Sequence, residues 1–177
     1  MLQLLLLRHA KSSWSGDGLT DLDRPLNRRG ERAASAMGRF MASKRLVPDL
    51  VLCSPARRAR DTLELVAAKF DTPPPTLIDD RIYDFGSGKN LLECIRQQAT
   101  GIKSLLLVGH NPSIEGLAQS LSARGEERPR SRLKNKYPTC ALAVITMNVP
   151  DWSAVCEKSG TLVRFVRPRD ITAVADD

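Results

Sequence analysis

The chain has little with which to cross a membrane, staple itself or ligate a metal. Nothing in its 177 residues approaches the ~20 consecutive apolar residues of a bilayer span. The opening run MLQLLLL stops at Leu7 with no basic leader, short of the ~7–15-residue core of a secretory signal. The four cysteines, Cys53, Cys94, Cys140 and Cys156, lie far apart and form no CxxC or metal-type spacing. Cys53 and Cys140 fall in apolar runs, where a thiol acts as a small hydrophobe. Free thiols in a reducing cytoplasm are the expectation. Aromatic residues are scarce: four Phe, two Tyr and two Trp. Nucleic-acid platforms interleave rings with positive charge, so the net charge of +7 is read as a solvated Arg-rich surface rather than as a nucleic-acid footprint. Much of the excess sits in RGERAASAMGRFMASKR and RGEERPRSRLKNK. Histidine is scarcer still, with two in the whole chain.

A length of 177 residues suits one domain with a real core, and no composition shift marks a boundary. Short, nearly continuous apolar runs at Leu2–Leu7, Asp49–Cys53 and Ser104–Val108 read as parallel strands buried on both faces. Between and after them, 26–45, 56–70, 90–98 and 113–121 carry apolar residues at three-to-four spacing and read as helices. Pro55 and Pro112 suit first-turn positions. Alternating strands and helices predict an α/β three-layer sandwich, a mostly parallel central sheet flanked by helices. Ala141–Met147 and Leu162–Val166 read as two late strands, at least one antiparallel at an edge. Asp71–Pro75 reads as a connector and Gly125–Asn135 as a long polar loop.

Both histidines follow strands. His9 comes directly after the first, and His110 after the third with Gly109 between; the second strand ends in SPARRARDT. The carboxyl ends of parallel strands face one crevice, where ligands bind in open α/β sheets. One rim therefore collects RH, SPARR and GHNP. A lone histidine at a strand end is ordinary capping or core; two of two beside arginine-bearing segments predict a site. Arginine would repel a cation, and two histidines lack a third ligand, so no metal is expected. The same groups suit a phosphoryl dianion: guanidinium forks match its oxygens, and an imidazole can attack phosphorus.

RHAKSSW, DRPLNRRG, DLVLCSPARRARDT, LLLVGHNPSIEGLA and PTCALAV follow one another as in the histidine phosphatase superfamily. Within it the chain resembles the small SixA-like phosphohistidine phosphatases, from Leu2 to about Arg169. The resemblance implies a phosphoglycerate mutase-like fold and no cofactor. It makes His9 the transiently phosphorylated nucleophile and Arg8, Arg58 and His110 the rest of the phosphate pocket. Arg58 is preferred to Arg57 because the family's arginine directly precedes the alanine of this block, with threonine four residues beyond, here Ala59 and Thr62. Arg57 and Arg60 are expected on a solvated helix face. Ser12 and Ser13 are read either as hydroxyls for the substrate or as loop and cap residues, Asn111 and Pro112 as shaping the turn after His110. Asp23 and Arg24 are read as a local pair near the site or a turn, Trp14 and Trp152 as packing or rim residues.

Two departures stand out. The family's usual RHG is RHA here. The segment DDRIYDFGSGKNLLE, where phosphomutase and small-molecule branches carry a proton-donating carboxylate, offers Asp79, Asp80, Asp84 and Glu93 with no clear match; Asp84 is the best candidate donor. A phosphoramidate expels imidazole with less acid help than an alkoxide needs, so a missing acid favours N-linked phosphate. The chain also has little length to spare for the lid of larger members, which predicts a shallow, open pocket able to admit a side chain of another protein. The Arg-rich stretch at 124–136 is read as a contact for an acidic partner surface or as a loop without a role. The expectation is a cytoplasmic phosphohistidine phosphatase, monomeric or weakly associated, acting on a phosphorylated protein. The alternatives are a phosphomonoesterase acting on a small metabolite, or a non-catalytic phosphate-binding domain.

Overall fold

Leucine dictates the centre of the molecule. The structure, a computed structural model, describes residues 1–14 and 18–172. In β1 (Leu2–Arg8) the run Leu4–Leu7 is wholly buried, as a strand covered on both faces requires. Its alternate side chains feed two separate cores. Leu2, Leu4 and Leu6 pack with Leu105 and Leu107 on one face of the sheet, Leu5 and Leu7 with Leu106 and Val108 on the other.

Around β1 lie β2 (Leu50–Cys53), β3 (Thr76–Ile78), β4 (Ser104–Gly109), β5 (Ser122–Gly125), β6 (Leu142–Met147) and β7 (Gly160–Val166), in the order β3-β2-β4-β1-β6-β7-β5. One core is covered by α1 (Arg28–Ser43) and α2 (Arg57–Ala67), with α6 (Pro168–Thr172) packed on α1. The other is covered by α3 (Lys89–Arg96), α4 (Ser113–Leu121) and α5 (Glu127–Asn135). This is the α/β three-layer sandwich expected from the sequence.

Two expectations need correction. The antiparallel strand is β6, but it is interior, between β1 and β7; the edges are β3 and β5. The stretch 125–135 is not a long loop: β5 enters it and α5 fills it. Its helix escapes the pattern because Leu133 is its one buried residue, and tertiary packing of that side chain, not periodicity, holds it. Pro129 is tolerated in the first turn, where its missing N–H would have no intrahelical partner. Asp71–Pro75 is a connector as expected, and the three-residue edge strand β3 that follows it, exposed throughout, is too short for a period-two signal.

Cys53 and Cys140 behave as the sequence suggests, buried in the α1–α2 core with thiols pushed up to about 12 by burial. Trp152 is buried and donates to the Ile102 carbonyl, a packing residue. Among the described residues no helix is long and apolar enough to cross a membrane.

Leu5→Ala should lower the unfolding free energy by about 2–5 kcal/mol, because a wholly buried leucine leaves a cavity that its neighbours fill only in part. A urea titration reads this as a lower midpoint at unchanged slope; an unchanged midpoint would show the core able to collapse around the loss.

Candidate active site

Strand register brings the two histidines together. β1 and β4 run parallel with Arg8 opposite Gly109, and the His9 N–H donates to the Gly109 carbonyl at 3.0 Å. His9 and His110 thus leave adjacent strands at the same height, their ring centroids 5.0 Å apart. β2 pairs Cys53 with Val108 on the other side of β4, so Ser54 lies beside His110, and Ser54 Oγ is 2.7 Å from His110 Nε2.

Three supports fix the turn after β1. The Ala10 N–H donates to Thr62 Oγ1 (2.9 Å), and Thr62 Oγ1 donates to the Arg58 carbonyl (2.6 Å), tying α2 to the turn. The Asn27 N–H donates to the Lys11 carbonyl, and Asn27 Oδ1 caps α1 at Gly30 N. A Cβ on Gly30 would stand 2.1 Å from the Lys11 carbonyl oxygen, so only glycine lets α1 approach this closely. Cys140 N–H donates to the carbonyls of Arg8 and His9.

The sequence-predicted pocket assembles. Arg58, 2% exposed in the first turn of α2, points Nη2 at His110 Nδ1 from 3.4 Å. Arg8 at the end of β1 donates from Nη1 to the Tyr137 carbonyl at 2.7 Å, and its buried Nε has no partner among the described residues. Asn111 reaches the same carbonyl and Glu115 through Nδ2.

Protonation follows from the partners. His9 Nδ1 lies 2.7 Å from the Ala10 carbonyl, which only accepts, so Nδ1 carries the proton and Nε2 keeps its lone pair. Burial, reinforced by Arg58, Arg8 and Arg24 and opposed by the bond to Ala10, pushes His9 down to about 4. Burial, then His9 and Arg58, pushes His110 down to about 3. Both rings are neutral at physiological pH, and Nε2 of His9 is a ready nucleophile.

Sequence reasoning missed much of the rim. Asp21, in a 3-10 turn at Asp21–Asp23, accepts from Arg58 Nη2 (2.9 Å), from Arg24 Nη1 (2.8 Å) and from the Tyr83 hydroxyl. Burial pushes its pKa up, but these donors outweigh burial and hold it well below the usual carboxylate range. Arg24 therefore pairs with Asp21 and not with Asp23, which accepts from Thr20. Arg24 also donates to Ser12 Oγ (2.7 Å) and lies 3.3 Å from the Trp14 ring centroid, placing that exposed ring on the rim.

The stretch searched for a proton donor supplies rings instead. Tyr83 stands edge-on to His110 at 5.3 Å, and Phe85, 49% exposed, leans over it at 5.1 Å. Asp84 accepts from Asn90 Nδ2 (2.9 Å) and the Gly86 N–H, Asp79 binds Arg81 and Glu93 binds Arg96. Arg57 pairs with Asp61 on an exposed face, and Arg60 is exposed, as expected. Among the described residues no group of three or more His, Cys, Asp or Glu could hold a metal ion.

A model of the histidine phosphatase superfamily (branch 1) matches residues 4–89. The uncharacterised protein Rv1276c of Mycobacterium tuberculosis is 34% identical over 165 residues, 92% of this chain and the whole of the relative. A protein of Agrobacterium tumefaciens assigned as a phosphohistidine phosphatase SixA superposes with a TM-score of 0.79 at 31% identity, over 94% of this chain and 98% of that one. The chain belongs to the histidine phosphatase superfamily. A histidine phosphatase of the same fold, the protein histidine phosphatase SixA complexed with tungstate, superposes with a TM-score of 0.72 at 24% identity, over 96% of this chain and 99% of that one. As a histidine phosphatase, the chain acts on phosphorylated substrates.

The buried neutral rings make stability depend on pH. Both imidazoles sit below their ordinary 6.5 in the folded chain, so below that value the unfolded chain binds protons that the folded chain refuses. Stability should be full above pH 6.5 and fall through the window down to about 3. Urea titrations across that window should give a steep decline for the parent chain and a shallow one for a His9→Asn/His110→Gln variant. Equal slopes would locate the acid sensitivity in other groups.

Proposed function

We propose that the chain hydrolyses phosphohistidine in proteins, with His9 as nucleophile and Arg8, Arg58 and His110 as the phosphate pocket. The observation that carries this reading is Asp21. It is the carboxylate bonded into the cluster, and three donors keep it ionised, so it has no proton to give a leaving group. A departing alkoxide needs such a proton. A departing imidazole does not, because the second ring nitrogen of phosphohistidine can already carry one.

The chemistry balances without a cofactor. The lone pair on His9 Nε2 forms a bond to phosphorus as the bond from phosphorus to the substrate nitrogen breaks, and the substrate imidazole leaves neutral. Water then attacks the phosphorylated His9, orthophosphate departs and the imidazole is restored. Arg8 and Arg58 compensate the charge on the transferring oxygens. His110, oriented by Ser54, donates to those oxygens when its Nδ1 is protonated, and the approaching anion raises its proton affinity. The exposed face of Phe85 gives the leaving ring an aromatic neighbour at the pocket mouth.

Reaction with a labelled phosphohistidine protein, quenched in alkaline detergent, should trap a base-stable, acid-labile phosphoryl group on the parent chain and none on His9→Ala. Retention of the label by that variant would move the nucleophile elsewhere. His110→Ala should lower turnover by about 10²–10³-fold, the loss typical of a donor to a developing oxyanion. Higher kcat/KM on sugar or nucleotide phosphates than on phosphohistidine would replace this reading by a metabolite phosphatase, and phosphate affinity without turnover by a binding domain.

A further inference from the structure

Beside the active site lies a second concavity that the chemistry above does not use. It has a volume of about 430 Å³ and is walled by α1 on one side and by α5, α6 and the segment 135–139 on the other. Six cations line it, Lys11, Arg29, Arg132, Lys136, Arg167 and Arg169, and no carboxylate does. Arg167 and Arg132 share Asp170 behind the wall, at 2.7 and 3.6 Å. Lys11, Arg29, Lys136 and Arg169 are exposed and have no ion-pair partner among the described residues. So dense a set of like charges repels itself, and an anion filling the cleft relieves that repulsion.

The cleft and the phosphate pocket share a wall. Lys11 is two residues beyond His9 in the braced turn. Lys136 precedes Tyr137, whose carbonyl holds Arg8, and Cys140 binds the carbonyls of Arg8 and His9. A polypeptide resting in the cleft therefore continues onto the rim of the catalytic pocket.

We propose that this cleft docks an acidic segment of the phosphorylated protein substrate, next to the phosphohistidine that enters the catalytic pocket. The proposal rests on the protein-phosphohistidine reading and names the surface that selects the protein. Charge complementarity chooses the occupant. No aromatic ring lines the cleft, so a nucleic acid finds no stacking partner, whereas Asp and Glu side chains meet guanidinium forks. Docking of this kind acts on encounter and on KM, is weakened by salt, and leaves the chemical step alone.

The test compares one bond in two settings. The substrates are a histidine-phosphorylated protein with an acidic surface, and free N-phosphohistidine, which has the same bond and nothing to dock. The variant is Arg29→Glu/Arg169→Glu, on opposite walls and outside the phosphate pocket. On the protein substrate kcat/KM should fall by about tenfold or more through KM, with kcat unchanged, while on free phosphohistidine it should stay within about twofold. Raising salt should slow the parent chain on the protein substrate and affect the variant much less. Equal losses on both substrates, or no loss on the protein, would overturn the docking role.

Binding separates the two ideas. If the chain fails to turn over phosphohistidine protein, the functional reading falls. A fluorescent Asp/Glu-rich peptide that binds the parent chain and not the variant would still establish the cleft. Tighter binding of a single-stranded oligonucleotide than of that peptide would overturn the assigned occupant.

Discussion

Where two parallel strands stop decides what this molecule can do. β1 and β4 are held in register along their whole length, and the last bond of the ladder runs from the His9 N–H to the Gly109 carbonyl. A shift of one residue would turn one imidazole to the opposite face of the sheet, because strand side chains alternate. In register, both rings leave on the same side, 5.0 Å apart, within reach of one phosphoryl group. The polar ends of β1 make that register costly to change, since a one-residue slip would carry Gln3 or Arg8 to a position that leucine holds in one of the two cores. The buried sheet is thus the device that sets the distance between the two rings.

The electrostatics follow from the same burial. Two rings taken out of water beside three arginines lose their protons, and this leaves His9 a neutral imidazole with a free lone pair rather than a cation. Arg58 is itself buried, and a buried guanidinium needs compensation. Asp21 supplies it with its carboxylate and its backbone carbonyl. That carboxylate is consequently locked in its ionised form. Holding the arginine and donating a proton are incompatible duties for one carboxyl group, and here the first is taken. The selectivity proposed for N-linked phosphate is a consequence of how the phosphate pocket is held together.

Much of this was legible in the chain because strand ends leave a simple mark: an apolar run, then a polar residue that functions. RH, SPARR and GHNP each carry that mark, and the structure brings Arg8, His9, Arg58 and His110 to one place. Ser54 carried it too, in SPARR, but a serine before a proline reads equally well as the start of a helix. Asp21, Tyr83 and Phe85 were not legible, for a shared reason. They sit on turns with no periodicity and reach the site only through the tertiary fold, so their spacing from the histidines says nothing. The same applies to α5, whose single buried leucine leaves a charged sequence that looks like a loop until Leu133 finds its core.

Seen from the site, the Arg-rich composition divides by burial. Arg8 at the end of β1 and Arg58 in the first turn of α2 are drawn inward and fixed by carbonyls and one carboxylate. Those on α1, α5 and α6 stay in water, where each is worth little to stability. A protein gains nothing in folding by crowding such residues around a concavity lined by no acid, since like charges oppose the compact state. Their arrangement makes sense as a field directed outward, with the phosphate pocket at one end of it. A phosphoryl group alone would feel only the inner arginines; a phosphorylated protein with an acidic flank would feel both sets. On the proposed reading, the inner set acts on the bond that breaks and the outer set on which chain presents it.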